Sequence, residues 1–150
     1  MQRTLVLFKP DCVHRRLIGV LFQKFEQKGL KLVGMKFVKA SGELAAKHYA
    51  VHHGKKFYDS LVSFITSGPS VAMVWEGAGA IEFVRSLNGA TDGMKAALGT
   101  IRGDYAASVQ NNLVHASDSA ENAAAEIALW FRPDELVDWK PVDTPWVVGA

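Results

Sequence analysis

The side chains best suited to chemistry in this chain are its five histidines, His14, His48, His52, His53 and His115. His52 and His53 are adjacent, and neighbouring positions on a helix point apart, so they are not expected to share a metal. His14 stands beside Arg15 and Arg16 and is expected to be solvated. His115 is placed differently, after the apolar pair Leu113-Val114 and before Ser117-Asp118-Ser119. That pattern puts an imidazole at a strand end beside a helix N-terminus. Anions collect there, because free backbone N–H groups and the helix dipole both favour negative charge. Spacing alone leaves His115 either a working group or a packed one. Two familiar phosphate-binding loops are not the answer. No Gly-x4-Gly-Lys-Ser/Thr sequence occurs, which excludes a P-loop. Gly77-Ala78-Gly79 follows an apolar run as a dinucleotide fingerprint would. However, Glu82 occupies the third glycine position, where a carboxylate would repel a pyrophosphate, so two turn glycines are the expectation.

The elements that must position His115 can be read from periodicity. Thr4–Lys9 is a short apolar run ended by Pro10-Asp11, as for a central strand. Leu17, Ile18, Leu21, Phe22 and Phe25 recur at helical spacing, and Gly29 suits the helix end. In 31–39, Val33, Met35 and Phe37 alternate with Leu32, Gly34, Lys36 and Val38, so a strand with one better-buried face is expected. Helical segments follow near 43–52 and 58–67, then a β-branched strand at Val71–Trp75 and a short helix over 80–87. Residues 88–112 lack periodicity and read as one long loop, the kind of segment that usually has a function. A last short strand at 112–116 leads into a helix capped by Asp118 or Ser119. Four strands with this many helices predict an α/β (α+β) fold. Its expected form is a ferredoxin-like, split βαβ, four-stranded antiparallel sheet covered by helices.

One hundred and fifty residues suit a single domain, 1–150, in which 133–150 change character and read as a tail. The longest apolar runs, Val71–Trp75 and Ile127–Phe131, are too short for a transmembrane helix, and the opening residues lack a signal-peptide layout. The single Cys12 cannot form an internal disulfide, so a reducing, cytoplasmic protein is expected. Residues 1–56 carry twelve Lys/Arg against three Asp/Glu, and a basic half of this kind suits an anionic ligand such as phosphate.

The run Asn112-Leu-Val-His115-Ala-Ser117-Asp118-Ser119 resembles the Asn-x-x-His-Gly-Ser-Asp-Ser signature of the nucleoside diphosphate kinases. Lys9-Pro10-Asp11, Phe25-Glu26, Val33-Gly34, His48-Tyr49, Ser67-Gly68-Pro69, Val74–Gly77, Gly99–Asp104 and Glu126-Ile127 are similar to further motifs of that family, in its order and spacing. The resemblance implies transfer of the γ-phosphate of a nucleoside triphosphate to a nucleoside diphosphate, by ping-pong chemistry through a phosphohistidine on His115. A neutral imidazole suits that role, since it is nucleophilic at neutral pH without a strong base. Lys9, Arg85 and Arg102 would surround the phosphates, with Thr91 supplying a hydroxyl. Glu126 would orient the imidazole, as a carboxylate does in a triad, with Ser117 in support and Tyr49 close by. Phe57 would stack on the base opposite Val109, which predicts broad base tolerance. Asn112 and Lys9 would reach the ribose hydroxyls. Mg²⁺ would ride on the nucleotide phosphates, because no Asp/Glu cluster is spaced to hold it, and Asp118 is read as a helix cap rather than a ligand.

Four positions depart from the family pattern. Cys12 and Ala116 replace glycines, Asp92-Gly93 replaces Asn-Pro, and Leu98 replaces a proline. A β-carbon at 116 would press on the ring if that site needed positive φ, which predicts reduced rather than abolished activity. The looser 88–112 loop predicts weak subunit association. The tail through Trp146 resembles that of hexameric members, so a hexamer is expected over a tetramer. Two other readings stay open. One is a nucleotide-binding or protein-interaction module that lost turnover; the other, nucleic-acid binding, has only a charge excess behind it.

Overall fold

The computed structural model describes residues 1–149. Four strands, β1 (Gln2–Phe8), β2 (Lys31–Val38), β3 (Ser70–Gly77) and β4 (Val114–Ala116), form one antiparallel sheet in the order β2-β3-β1-β4. Helices α1 (Pro10–His14) and α2 (Ile18–Gln27) link β1 to β2, and α3 (Gly42–His48) and α4 (Tyr58–Ile65) link β2 to β3. Then α5 (Ala80–Asn88) and α6 (Ile101–Tyr105) lead into β4, followed by α7 (Ala120–Trp130) and the short α8 (Thr144–Val147). The split βαβ sheet expected from the sequence is therefore present.

The central strands are apolar on both sides because both sides are covered. On one face Val6, Phe8, Val71, Met73 and Trp75 pack with Leu21 and Phe25 of α2 and Val84 of α5. On the other, Leu5, Leu7, Ala72 and Val74 pack with Ala45, Tyr49, Ile65 and Trp130. Each Leu, Val or Phe so buried contributes about 1.5–3 kcal/mol, enough to hold a sheet whose β4 is only three residues long.

Three local features differ from expectation. Residues 88–112 are not all loop: α6 forms inside them, capped by Thr100, whose hydroxyl accepts from the Gly103 N–H. A short α1 also precedes α2, started by Pro10. In β2 the register slips between Leu32 and Gly34, and this bulge turns Met35 and Phe37 outward to 48% and 62% exposure. The face expected to be better buried is thus the solvent face beyond Val33. Gly34 lies under the returning chain, where a Cβ would meet Leu136 and Phe131. Residues beyond 133 run back along β2, with the Val137 N–H donating to the Val33 carbonyl at 2.8 Å and Trp139 Nε1 to Leu32 at 2.7 Å. Cys12, one of the departures, sits in α1 fully buried, and burial pushes its thiol up to about 12, which makes it inert packing.

Candidate active site

His115 lies on β4 opposite Leu7, one residue inside the strand end and five before α7 begins. The cap of α7 is Ser119, whose hydroxyl accepts from the Asn122 N–H at 3.1 Å. Asp118 is not the cap; its carboxylate accepts from the Asn122 side chain at 2.6 Å. Just before β4, Leu113 takes φ of 73°, an uncommon value for a residue with a side chain. Its N–H donates to Asp11 Oδ2 at 3.0 Å, and its carbonyl accepts from the Lys9 N–H at 2.9 Å. The strained turn is thereby pinned from both sides, and Asp11, read from the sequence only as part of the Lys9-Pro10-Asp11 motif, holds one of the pins.

The imidazole of His115 is partly exposed, and its Nε2 lies 2.6 Å from Glu126 Oε2. Its Nδ1 makes no hydrogen bond among the described residues. Glu126 lies in the second turn of α7, and the Ser117 hydroxyl is near enough to favour its charged form. Burial alone would raise the Glu126 carboxyl, but the His115 and Ser117 hydrogen bonds outweigh it and hold the group below its ordinary value. Ser117 is fully buried and also accepts from the Leu5 N–H at 3.3 Å, which fastens the start of the turn to β1.

A cleft of about 850 Å³ opens in front of this ring, and of the residues expected in the site it is lined by all except Ser117. Lys9 Nζ donates to Asn112 Oδ1 at 2.5 Å and to the Gln110 carbonyl at 3.2 Å. Asn112 in turn donates to the Thr91 carbonyl at 3.0 Å. Arg102 donates to the carbonyls of Gly89, Asn112 and Val114, which ties the long loop to the base of β4. Among the described residues, neither Lys9, Arg85 nor Arg102 forms a salt bridge with a carboxylate. Burial lowers Lys9 to about 8, with Asp11 opposing and Arg102 reinforcing the shift. Burial and the neighbouring Arg85 bring Arg102 down to about 10. Like charges crowded in one cleft, none of them taken up in a salt bridge among the described residues, form a place for a polyanion.

At the cleft mouth Phe57 and Val109 are 47% and 57% exposed, so neither is a core residue. Tyr49 is buried, and burial together with the Glu126 charge pushes its hydroxyl up to about 12. The sequence reading missed His48 as a site residue. Its side chain is 1% exposed, its ring meets His115 edge-on at 4.7 Å, and Trp130 Nε1 donates to its Nδ1 at 3.1 Å. Burial first, and His115 next, hold this imidazole down to about 3, so it is neutral. The adjacent pair His48-Tyr49 was the available signal, but nothing local marks which histidine packs against His115. His48, His115 and Glu126 also bring three donor atoms together. Two imidazoles and one carboxylate are not the oxygen cage that Mg²⁺ requires.

The model of the family described as nucleoside diphosphate kinase matches residues 2–136. The chain belongs to the nucleoside diphosphate kinase family. It is 54% identical over 147 residues to a nucleoside diphosphate kinase of Thermosynechococcus vestitus, covering 98% of each chain. It is 53% identical over 148 residues to one of Microcystis aeruginosa, covering 99% of each. Among solved structures, a halophilic nucleoside diphosphate kinase from Halobacterium salinarum in complex with CDP superposes with a TM-score of 0.95 at 55% identity, covering 97% of each chain. A family protein from Babesia bovis gives 0.95 at 46% identity, over 98% of this chain and 99% of that one. Membership bears out the resemblance read from Asn112–Ser119. It favours the phosphotransferase reading over a binding module without turnover. No helix among the described residues is long and apolar enough to cross a membrane.

Proposed function

We propose that this chain moves the γ-phosphate of a nucleoside triphosphate onto a nucleoside diphosphate through a phosphohistidine at His115 Nδ1. The observation that carries this reading is the 2.6 Å contact between His115 Nε2 and Glu126, which leaves Nδ1 as the free ring nitrogen in a cleft that Lys9, Arg85 and Arg102 also line. A carboxylate at Nε2 keeps the ring proton there, so the lone pair is on Nδ1. That lone pair attacks phosphorus in line. The N–P bond forms, the bridging P–O bond breaks, and the departing diphosphate keeps the electron pair. No proton has to leave the ring, and Glu126 stabilises the positive charge that develops on it. The second diphosphate then takes the group back by the reverse path.

Lys9, Arg85 and Arg102 would neutralise the phosphate oxygens, with the Thr91 hydroxyl beside them, while Asn112 and Lys9 reach the ribose. A base held between Phe57 and Val109 is gripped by stacking, which tolerates all bases. Mg²⁺ enters as part of the metal–nucleotide substrate. The lone buried Cys12 supports a reducing, cytoplasmic setting. Residues 1–150 act as one domain, with 133–150 as its tail, and the exposed Trp146, Val142, Leu98 and Met94 support assembly with further copies, as a hexamer.

The test is direct. Mg²⁺ and γ-labelled ATP should leave acid-labile, alkali-stable phosphate on the wild type, and GDP should discharge it as GTP. The His115→Ala variant should take none. Nucleotide binding without label would overturn the reading.

A further inference from the structure

The buried pair His48 and Trp130 lies against the proposed nucleophile with no role in the chemistry above. His48 Nδ1 is 3.6 Å from Glu126 Oε2, the same oxygen that His115 Nε2 approaches at 2.6 Å. Two histidines therefore stand close to one carboxylate oxygen. Trp130 Nε1 is a donor only, so its 3.1 Å bond to His48 Nδ1 requires a bare lone pair there. A neutral imidazole with a bare Nδ1 carries its proton on Nε2. In that tautomer His48 has nothing to give Glu126 at Nδ1, and the oxygen is left to His115. In the opposite tautomer, an Nδ1–H at this distance would need only a small rotation to bond the carboxylate, drawing it from the nucleophile.

We infer that Trp130 acts as a tautomer lock: by holding the His48 proton on Nε2 it reserves Glu126 for His115. His48 and Trp130 are thus positioning residues, and the inference rests on His115 being the phosphorylated group. The groups facing His48 are consistent with this arrangement. His115 and Trp130 meet it edge-on with centroids at 4.7 and 5.5 Å, Tyr49 does so at 4.7 Å, and His52 adds to the forces that keep it neutral. Glu126 is the sole carboxylate acting on it among the described residues. Because the ring is buried, its tautomer is set by these contacts rather than by water.

Two measurements test the lock. The first is ¹⁵N NMR of the imidazole nitrogens in the unphosphorylated protein. Wild-type His48 should show an unprotonated Nδ1 and a protonated Nε2, and Trp130→Phe should move proton density to Nδ1. A wild type protonated at Nδ1, or a variant with an unmoved tautomer, would overturn the inference. The second is the single-turnover rate of His115 labelling. Trp130→Phe should slow it about tenfold, the value of one weakened hydrogen bond to a charged group, with nucleotide affinity unchanged. Adding His48→Phe removes the competing donor, and the double variant should recover most of that loss. A purely structural role predicts the opposite, a further loss. If the wild type takes no label on His115, the proposed function falls and this inference with it. If the wild type is labelled but His48 keeps its tautomer in Trp130→Phe, only the lock falls.

Discussion

Ala116→Gly restores the residue that the family pattern has after the histidine, and the structure predicts that it will not restore speed. The expectation of a slow enzyme rested on a backbone needing positive φ. Among the described residues only Arg16 and Leu113 take positive φ with a side chain, and Ala116 is a regular β4 residue paired with Val6. The methyl is 6% exposed and belongs to the core face that holds Val6 and Val114. Removing it forfeits about 0.8 kcal/mol of burial. Glycine in a strand costs roughly 0.5–1 kcal/mol more in chain entropy. The variant should therefore be about 1.5 kcal/mol less stable, a fall of roughly 3–6 °C in melting temperature for a chain of this size. Its rate of His115 phosphorylation should stay within about twofold of wild type, since successive strand residues point to opposite faces and the methyl packs with Val6 and Val114 rather than on the side of the ring. Rapid-quench labelling with γ-labelled ATP, alongside urea melts at matched protein concentration, measures both. A variant that is labelled about fivefold faster or more, or that melts higher, would refute the reasoning.

Glu126→Gln keeps the shape but removes the charge facing His115. Losing a charged partner costs about 1.5–3 kcal/mol, so single-turnover labelling should slow roughly 10- to 150-fold, and an unchanged rate would rule out the orienting role. Lys9 makes two pH-dependent signatures, because its folded value of about 8 lies below the ordinary 10.5. ADP affinity should weaken as pH rises through about 8, while stability rises between about 8 and 10.5, where the unfolded chain binds the extra proton; Lys9→Gln should flatten both curves in titration calorimetry and urea melts. Asn88 is 1% exposed with neither amide atom hydrogen-bonded among the described residues, so Asn88→Leu should stabilise the fold by about 1–3 kcal/mol in urea melts, and a lower midpoint would contradict the burial argument. Light scattering should give six chain masses that fall apart in mild urea; a mass of two or four would refute the hexamer, and urea resistance the weak-association expectation.

The periodic elements were legible because their causes are local. β1 and β3 are unbroken apolar runs since both sheet faces are covered, and α2 and α7 keep a helical stripe toward the core. Helix α6 was not legible, because Ile101–Tyr105 has one turn and its capping Thr100 lies in a stretch without periodicity. The β2 bulge was missed because alternation cannot register a single extra residue, and that residue inverted which side of the strand is covered.

What the sequence by itself determined is the chemistry on offer: a histidine between a strand and a capped helix, a carboxylate two turns beyond the cap, and the cations Lys9, Arg85 and Arg102. Only the tertiary structure decided how these meet. Lys9 reaches Asn112 across 103 residues, Asp11 pins Leu113 across 102, and Trp130 finds His48 across 82. Separations of that size leave no trace in local spacing, because they arise from strand order and from which helix lies over which face. The choice of His115 nitrogen belongs to the same class, since it depends on a hydrogen bond at the far side of the ring that forms only when α7 folds back over β4.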